Sequence, residues 1–164
     1  MKHMAAPRIS KPSECPAAAS KPSAPRAVRL NINSDPATLA PARHAVEELA
    51  LCGGFDAVAC GEIALCVNEA IANIIRHAYE GATDMPIELS AELKEDAIHI
   101  RIRDWGNGVN PESLPPKPRD PLTPGGLGLI CLRSMMDRTV FTPQPDGMLL
   151  EMSRSSSRKE APRR

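Results

Sequence analysis

Glu69, Asn73 and His77 stand four residues apart in the run Asn68-Glu69-Ala70-Ile71-Ala72-Asn73-Ile74-Ile75-Arg76-His77-Ala78-Tyr79. On a helix that spacing puts them on one face. A carboxylate beside a neutral amide suits the chemistry of a Mg²⁺-bound nucleotide. Asn73 can lend one oxygen to the cation and leave its other positions to phosphates and waters. Glu69 then stays free to accept a proton from an attacking hydroxyl or water. His77 has no clear chemical task and is expected to support the site. The bland alternative is an ordinary polar helix face.

Two glycine loops follow. Arg103-Asp104-Trp105-Gly106-Asn107-Gly108 comes directly after a strand-like run. Asp104 can accept a hydrogen bond from an exocyclic amino group such as that of adenine. Gly106 and Gly108 allow backbone to approach a ligand closely. A tight turn would use the same residues. Gly125-Gly126-Leu127-Gly128-Leu129-Ile130 opens a helical pattern. Backbone N–H groups and the positive end of the helix dipole there favour phosphate, although a plain loop-to-helix junction reads the same way. It is neither a P-loop nor a dinucleotide fingerprint, because the chain has no G-x-x-x-x-G-K-[ST] and no third glycine in a βαβ unit.

These loops need elements to hold them. Residues 28–32 alternate apolar and polar, as a half-buried strand does. Ser34 or Asp35 can cap a helix carrying Leu39, Ala42, Val46, Leu49 and Ala50 on one side. Asp56 can cap a longer helix ending at Gly81, with the stripe Ala59, Ile63, Val67, Ala70, Ile71, Ile74 and Ala78 widened by Leu65, Ala72 and Ile75. Residues 87–93 and 98–103 predict a hairpin. Residues 109–125 are Pro-rich without apolar period, which predicts a long functional or disordered loop. A helix over 127–137 and strands over 139–142 and 148–153 complete the chain. The expected class is α+β: a two-layer sandwich with a mixed, mostly antiparallel sheet and helices on one face. Residues 1–26 and 155–164 are expected to be disordered, leaving 27–154, a body of roughly 125 residues, as a single domain.

Lys and Arg balance Asp and Glu at 20 each. A nucleic-acid footprint needs a basic excess on one face, so no direct nucleic-acid partner is expected. No run is expected to reach a membrane span, no apolar stretch near Met1 predicts a signal peptide, and a cytoplasmic protein is expected. Cys15, Cys52, Cys60, Cys66 and Cys131 form no close ligand pair. Cys60, Cys66 and Cys131 fall in apolar helical patterns and predict small buried thiols.

A helical E-x-x-x-N, a post-strand D-x-G-x-G and a pre-helix G-x-G-L, in that order, resemble the Bergerat nucleotide fold of the GHKL group. That group spans gyrase, heat-shock chaperone, histidine kinase and mismatch-repair ATPases. The run from Glu69 to Tyr79 is most similar to the small anti-sigma-factor serine kinases, with their E-A-[VI]-x-N-[AI]-I-x-H-[AG]-Y wording. Met135-Met136-Asp137 is similar to the L/F-M-D ending of that branch, and Arg43 stands where the branch carries an arginine facing its partner.

The resemblance implies ATP and Mg²⁺ as cofactors, with Glu69 as general base and Asn73 as Mg²⁺ ligand. It implies that Asp104 reads adenine with support from Gly106 and Gly108. Gly126, Leu127, Gly128 and Leu129 would cradle phosphate, and Arg43 would dock the partner or orient its serine. The segment from Pro111 to Pro124 would be the lid over ATP, with Lys117 and Arg119 as candidate phosphate contacts. The implied reaction moves the γ-phosphoryl of ATP to a serine of a STAS-like anti-anti-sigma protein. A sigma factor is the second implied partner, and a homodimer the implied assembly.

Two features depart from the branch. Its last strand usually starts Gly-Thr, where this chain reads Gly147-Met148, and six prolines stand between Pro111 and Pro124. Trp105 is a large residue for its loop and is expected to plug the pocket edge. Two alternatives stay open: a non-catalytic ATP-binding partner switch, and the catalytic half of a split histidine kinase.

Overall fold

In the computed structural model the described residues are 26–107 and 127–156. Five strands form one sheet: β1 (Ala27–Asn33), β2 (Pro86–Lys94), β3 (Ala97–Asp104), β4 (Arg138–Gln144) and β5 (Gly147–Ser155). Their spatial order is β1-β2-β3-β5-β4. Every pairing among them is antiparallel, which sharpens the mixed sheet expected from sequence. β5 runs on to Ser155, past the expected 148–153. The Ser155 N–H donates to Asp137 Oδ2 at 2.7 Å.

The alternation of side chains decides which face of the sheet is covered. Ile87, Leu89 and Ala91 on β2, Ile98, Ile100 and Ile102 on β3, and Leu150 and Met152 on β5 are buried. They join one core with the apolar stripes of α1 (Leu39–Cys52), α2 (Ala57–Asn73) and α3 (Leu127–Met135). Ile63, Val67 and Ile71 of α2 are fully buried. Side chains of that size contribute about 1.5–3 kcal/mol each by leaving water.

Local signals set the helix starts. Asp35 caps a short 3-10 helix (Pro36–Thr38) that leads into α1, accepting from the Ala37 N–H at 2.9 Å. Ser34, the other candidate cap, is fully buried instead. Its N–H donates to Met85 O at 2.8 Å and its hydroxyl to Ala82 O, tying β1 to the chain entering β2. Asp56 caps α2 as expected, through the Ala59 N–H at 2.7 Å.

Three expectations need correction. Leu65 does not widen the buried stripe; it is 40% exposed. Cys131 is half-buried, whereas Cys60 and Cys66 are buried, and burial pushes the Cys66 thiol up to about 12. One helical rod, Ala57–Ala78, does reach the length and hydropathy of a membrane span, at 22 residues and mean hydropathy 1.6. Here its apolar residues belong to the core, and it packs against α1 and α3. The second helix is also not uniform: α2 ends at Asn73 and continues as a π-helical turn (Ile74–Ala78). The Tyr79 N–H reaches back to Ile74 O at 3.0 Å, which is the wider i→i+5 bond.

Candidate functional site

The C-terminal half of α2 and its π-helical turn carry the site. Glu69 and Asn73 lie half-buried where α3 approaches. A methyl group added at Gly128 would stand 2.9 Å from Asn73 Nδ2 and 3.1 Å from Glu69 Oε2. The first turn of α3 therefore presses its bare backbone onto the carboxylate and the amide. A larger residue there would push the Glu69 and Asn73 side chains aside and fill the space between that helix N-terminus and the pair. The distances join the first and third sequence signals at one point in space.

The π-helical turn alters the third member of the expected face. Widening the helix breaks the regular four-residue spacing beyond Asn73. Arg76, not singled out from sequence, reaches back over the pair. Its Nη2 donates to Asn73 Oδ1 at 3.2 Å and lies 3.9 Å from Glu69 Oε2, while its Nε donates to Ala72 O at 3.1 Å. His77 is exposed on the same turn.

The second subsite is built where the π-helical turn meets the end of β3. The Asn107 N–H donates to Ala78 O at 3.2 Å, and Asn107 Nδ2 donates to Glu80 Oε1 at 3.0 Å. A methyl group at Gly106 would stand 2.5 Å from Ala78 O, so the loop backbone touches the helix end directly. Asp104 is 4% exposed and accepts from the Gly106 N–H at 2.9 Å. Burial raises its carboxyl above the ordinary range, and the Gly106 amide, the Arg103 charge and the Met148 amide partly oppose that. A buried carboxylate with acceptor capacity left over is what recognition of an amino group needs.

Tyr79 and Arg103, both missed from sequence, hold this loop. The Tyr79 hydroxyl donates to Pro86 O and accepts from the Trp105 N–H at 2.8 Å. Burial raises its phenol above the ordinary value. Tyr79→Phe leaves the Trp105 N–H without that partner. An orphaned buried donor costs about 1–3 kcal/mol, so a lower melting temperature and weaker nucleotide binding are expected together. Unchanged nucleotide affinity in a calorimetric titration would contradict the positioning role.

Arg103 lies 4.7 Å over the Trp105 ring, ion-pairs with Asp146 and donates to Asp104 O. Trp105 is thus half-buried under a guanidinium, which refines its expected role as a simple plug. The turn before β5 closes the same corner. Gly147 has φ +137, and a methyl group there would collide with Asp104 O and stand 2.7 Å from Trp105 Cα. Gly147→Ala combines a strained backbone with overpacking, for an expected loss of about 2–5 kcal/mol. A denaturation midpoint near that of the wild type would refute this. Met148, at the start of β5, brings a buried side chain and a backbone amide to the Asp104 carboxyl.

Of the remaining sequence candidates, Arg43 is exposed on α1, and no hydrogen bond or ion pair among the described residues joins it to Glu69. Leu127 opens α3, and Leu129 is half-buried within it. Gly108, Gly126, Lys117 and Arg119 lie outside the described residues.

A carboxylate–amide pair under the first turn of a helix is joined through one π-helical turn to a buried aspartate at a strand end. Comparison with known families agrees: the model of the histidine kinase-like ATPase domain matches residues 32–154. The chain belongs to that family. Membership implies ATP as the nucleotide, and it accounts for the order of the two subsites along the chain.

Named relatives narrow the branch. The chain is similar to serine-protein kinase RsbW of Halalkalibacterium halodurans, 36% identical over 112 residues, covering 63% of this chain and 67% of that protein. It is 26% identical over 141 residues to serine-protein kinase RsbW of Oceanobacillus iheyensis, covering 81% and 89%. It is 27% identical over 105 residues to anti-sigma F factor of Bacillus velezensis, covering 61% and 72%.

Proposed function

We propose that this protein is an ATP-dependent serine-protein kinase that also acts as an anti-sigma factor. The observation that carries the reading is the placement of Glu69 and Asn73 under Gly128 at the first turn of α3. Relatives named serine-protein kinase and anti-sigma F factor support the same branch.

In this reading Asp104 takes the adenine amino group, and the Gly106 backbone keeps the loop close to the helix. The N-terminus of α3, with Leu127, Gly128 and Leu129, faces the phosphates. Asn73 is proposed as the Mg²⁺ ligand. It offers a single amide oxygen, and no group of three or more His, Cys, Asp or Glu gathers into a metal cage among the described residues. That oxygen fits a cation that keeps most of its positions for phosphates and waters. When bound, Mg²⁺ would neutralise charge on the transferring phosphate.

Glu69 receives the proton of the serine hydroxyl as the serine oxygen bonds to the γ-phosphorus. The bond from that phosphorus to the β–γ bridging oxygen breaks, and ADP leaves. Positioning and charge stabilisation supply most of the acceleration in such transfers. Arg43, on the exposed face of α1, is proposed to meet the partner. A STAS-like anti-anti-sigma protein is the proposed phosphate acceptor, a sigma factor the sequestered partner, and a homodimer the working assembly.

The test is transfer from labelled ATP to a STAS-like protein from the same source. The product should survive acid, as phosphoserine does. An acid-labile product would point to a split histidine kinase. Tight ATP binding without any transfer would point to a non-catalytic switch.

A further inference from the structure

The site already contains a cation of its own. Arg76 Nη2 donates to Asn73 Oδ1 at 3.2 Å and stands 3.9 Å from Glu69 Oε2. It sits on the one amide oxygen that the ATP-site reading gives to Mg²⁺. We infer that Arg76 occupies the Asn73 oxygen as a resident cation in the nucleotide-free protein, and that Mg²⁺ must displace it. This inference rests on the ATP-site reading above.

Three features of the fold make the exchange feasible. The π-helical turn starting at Ile74 places Arg76 where it can reach back, and the bond from its Nε to Ala72 O at 3.1 Å holds the guanidinium over the pair. The Asn73 Nδ2 lies on the Gly128 side, where an added methyl group would stand 2.9 Å from it, while Oδ1 faces Arg76. The Arg76 side chain is 48% exposed, so swinging outward strips little packing from it.

Electrostatics explains what the arrangement does. A hard cation bonds a carbonyl-type oxygen at roughly 2.0–2.1 Å. A guanidinium on the same oxygen excludes it by volume and by like charge. Without Mg²⁺, however, Arg76 offsets the Glu69 carboxylate and reduces its repulsion of incoming phosphates. The wild type should therefore bind nucleotide with a muted dependence on Mg²⁺. Arg76→Gln removes both effects. Metal-free binding should weaken, and Mg²⁺ should then restore more of the affinity.

Calorimetric titration with a non-hydrolysable ATP analogue, in chelator and in saturating Mg²⁺, measures the gain directly. That gain should be larger in Arg76→Gln than in wild type by about fivefold or more, the lower end of ordinary coupling between sites. Arg76→Lys keeps a cation there and should return the gain towards the wild-type value. A residue that only packed the turn would change affinity equally in both conditions. Equal Mg²⁺ gains in wild type and Arg76→Gln would overturn the inference while leaving the ATP site intact. Wild type that bound no nucleotide under either condition would overturn the site reading as well.

Discussion

Glu69→Gln is expected to lower phosphoryl transfer by about 10²- to 10⁴-fold, the usual contribution of a positioned general base. The substitution keeps the size and shape of the side chain beside Gly128 but removes its capacity to take a proton. Nucleotide affinity should change far less than turnover, because the adenine and phosphate contacts come from other residues. The side chain is about a quarter exposed, at 26%, and belongs to no part of the apolar core, so the fold should survive. Single-turnover transfer together with equilibrium binding separates the two effects. Loss of affinity in proportion to loss of rate would assign Glu69 to binding and remove it from the chemistry.

The second large effect is expected at Asp104. A site built to bond a polar group discriminates strongly when that bond is lost. Asp104→Asn turns part of an acceptor-only group into a donor facing the adenine amino group. ATP affinity should fall by about 10²-fold or more. Stability should move the other way. Burial raises the folded-state carboxyl above its ordinary value of 3.8, so the folded protein holds the proton more tightly than the unfolded chain. The contribution of this group is therefore largest at low pH and declines as pH rises from that ordinary value through the raised one. At neutral pH the ionised, buried carboxylate costs stability, and Asp104→Asn should relieve that cost. Equal or higher stability with much weaker ATP binding is the signature of a residue kept for function. A variant that bound ATP normally would remove Asp104 from the adenine site.

How much of this was readable in the sequence depended on period and chemistry. The stripe on α2, the cap at Asp56 and the hairpin around Glu95 and Asp96 followed from apolar spacing and turn residues. Gly106 and Gly128 stood out as glycines after a strand and before a helix, and the fold brings the first against Ala78 and the second against Glu69 and Asn73. What periodicity could not reveal was the π-helical turn, since it lies at the end of the helix, where too few apolar residues follow to show a change of period. Arg76 was therefore overlooked and His77 was grouped with Glu69 and Asn73. Tyr79 and Arg103 were missed for another reason. Their partners, Trp105 and Asp146, are 26 and 43 residues away and brought close only by the tertiary fold, which no local window contains. Ser34 exchanged its expected cap role for a buried bond across 48 residues, which is equally invisible to local reading.

The measurement closest to the central claim is phosphate transfer itself. Purified protein, Mg²⁺, ATP and a STAS-like protein from the same source are incubated, and the intact mass and modified residue of the acceptor are followed over time. The account predicts one added phosphate on an acceptor serine, dependent on ATP and Mg²⁺ and nearly absent with Glu69→Gln. An acceptor left unmodified by wild type, or modified equally by Glu69→Gln, would contradict it.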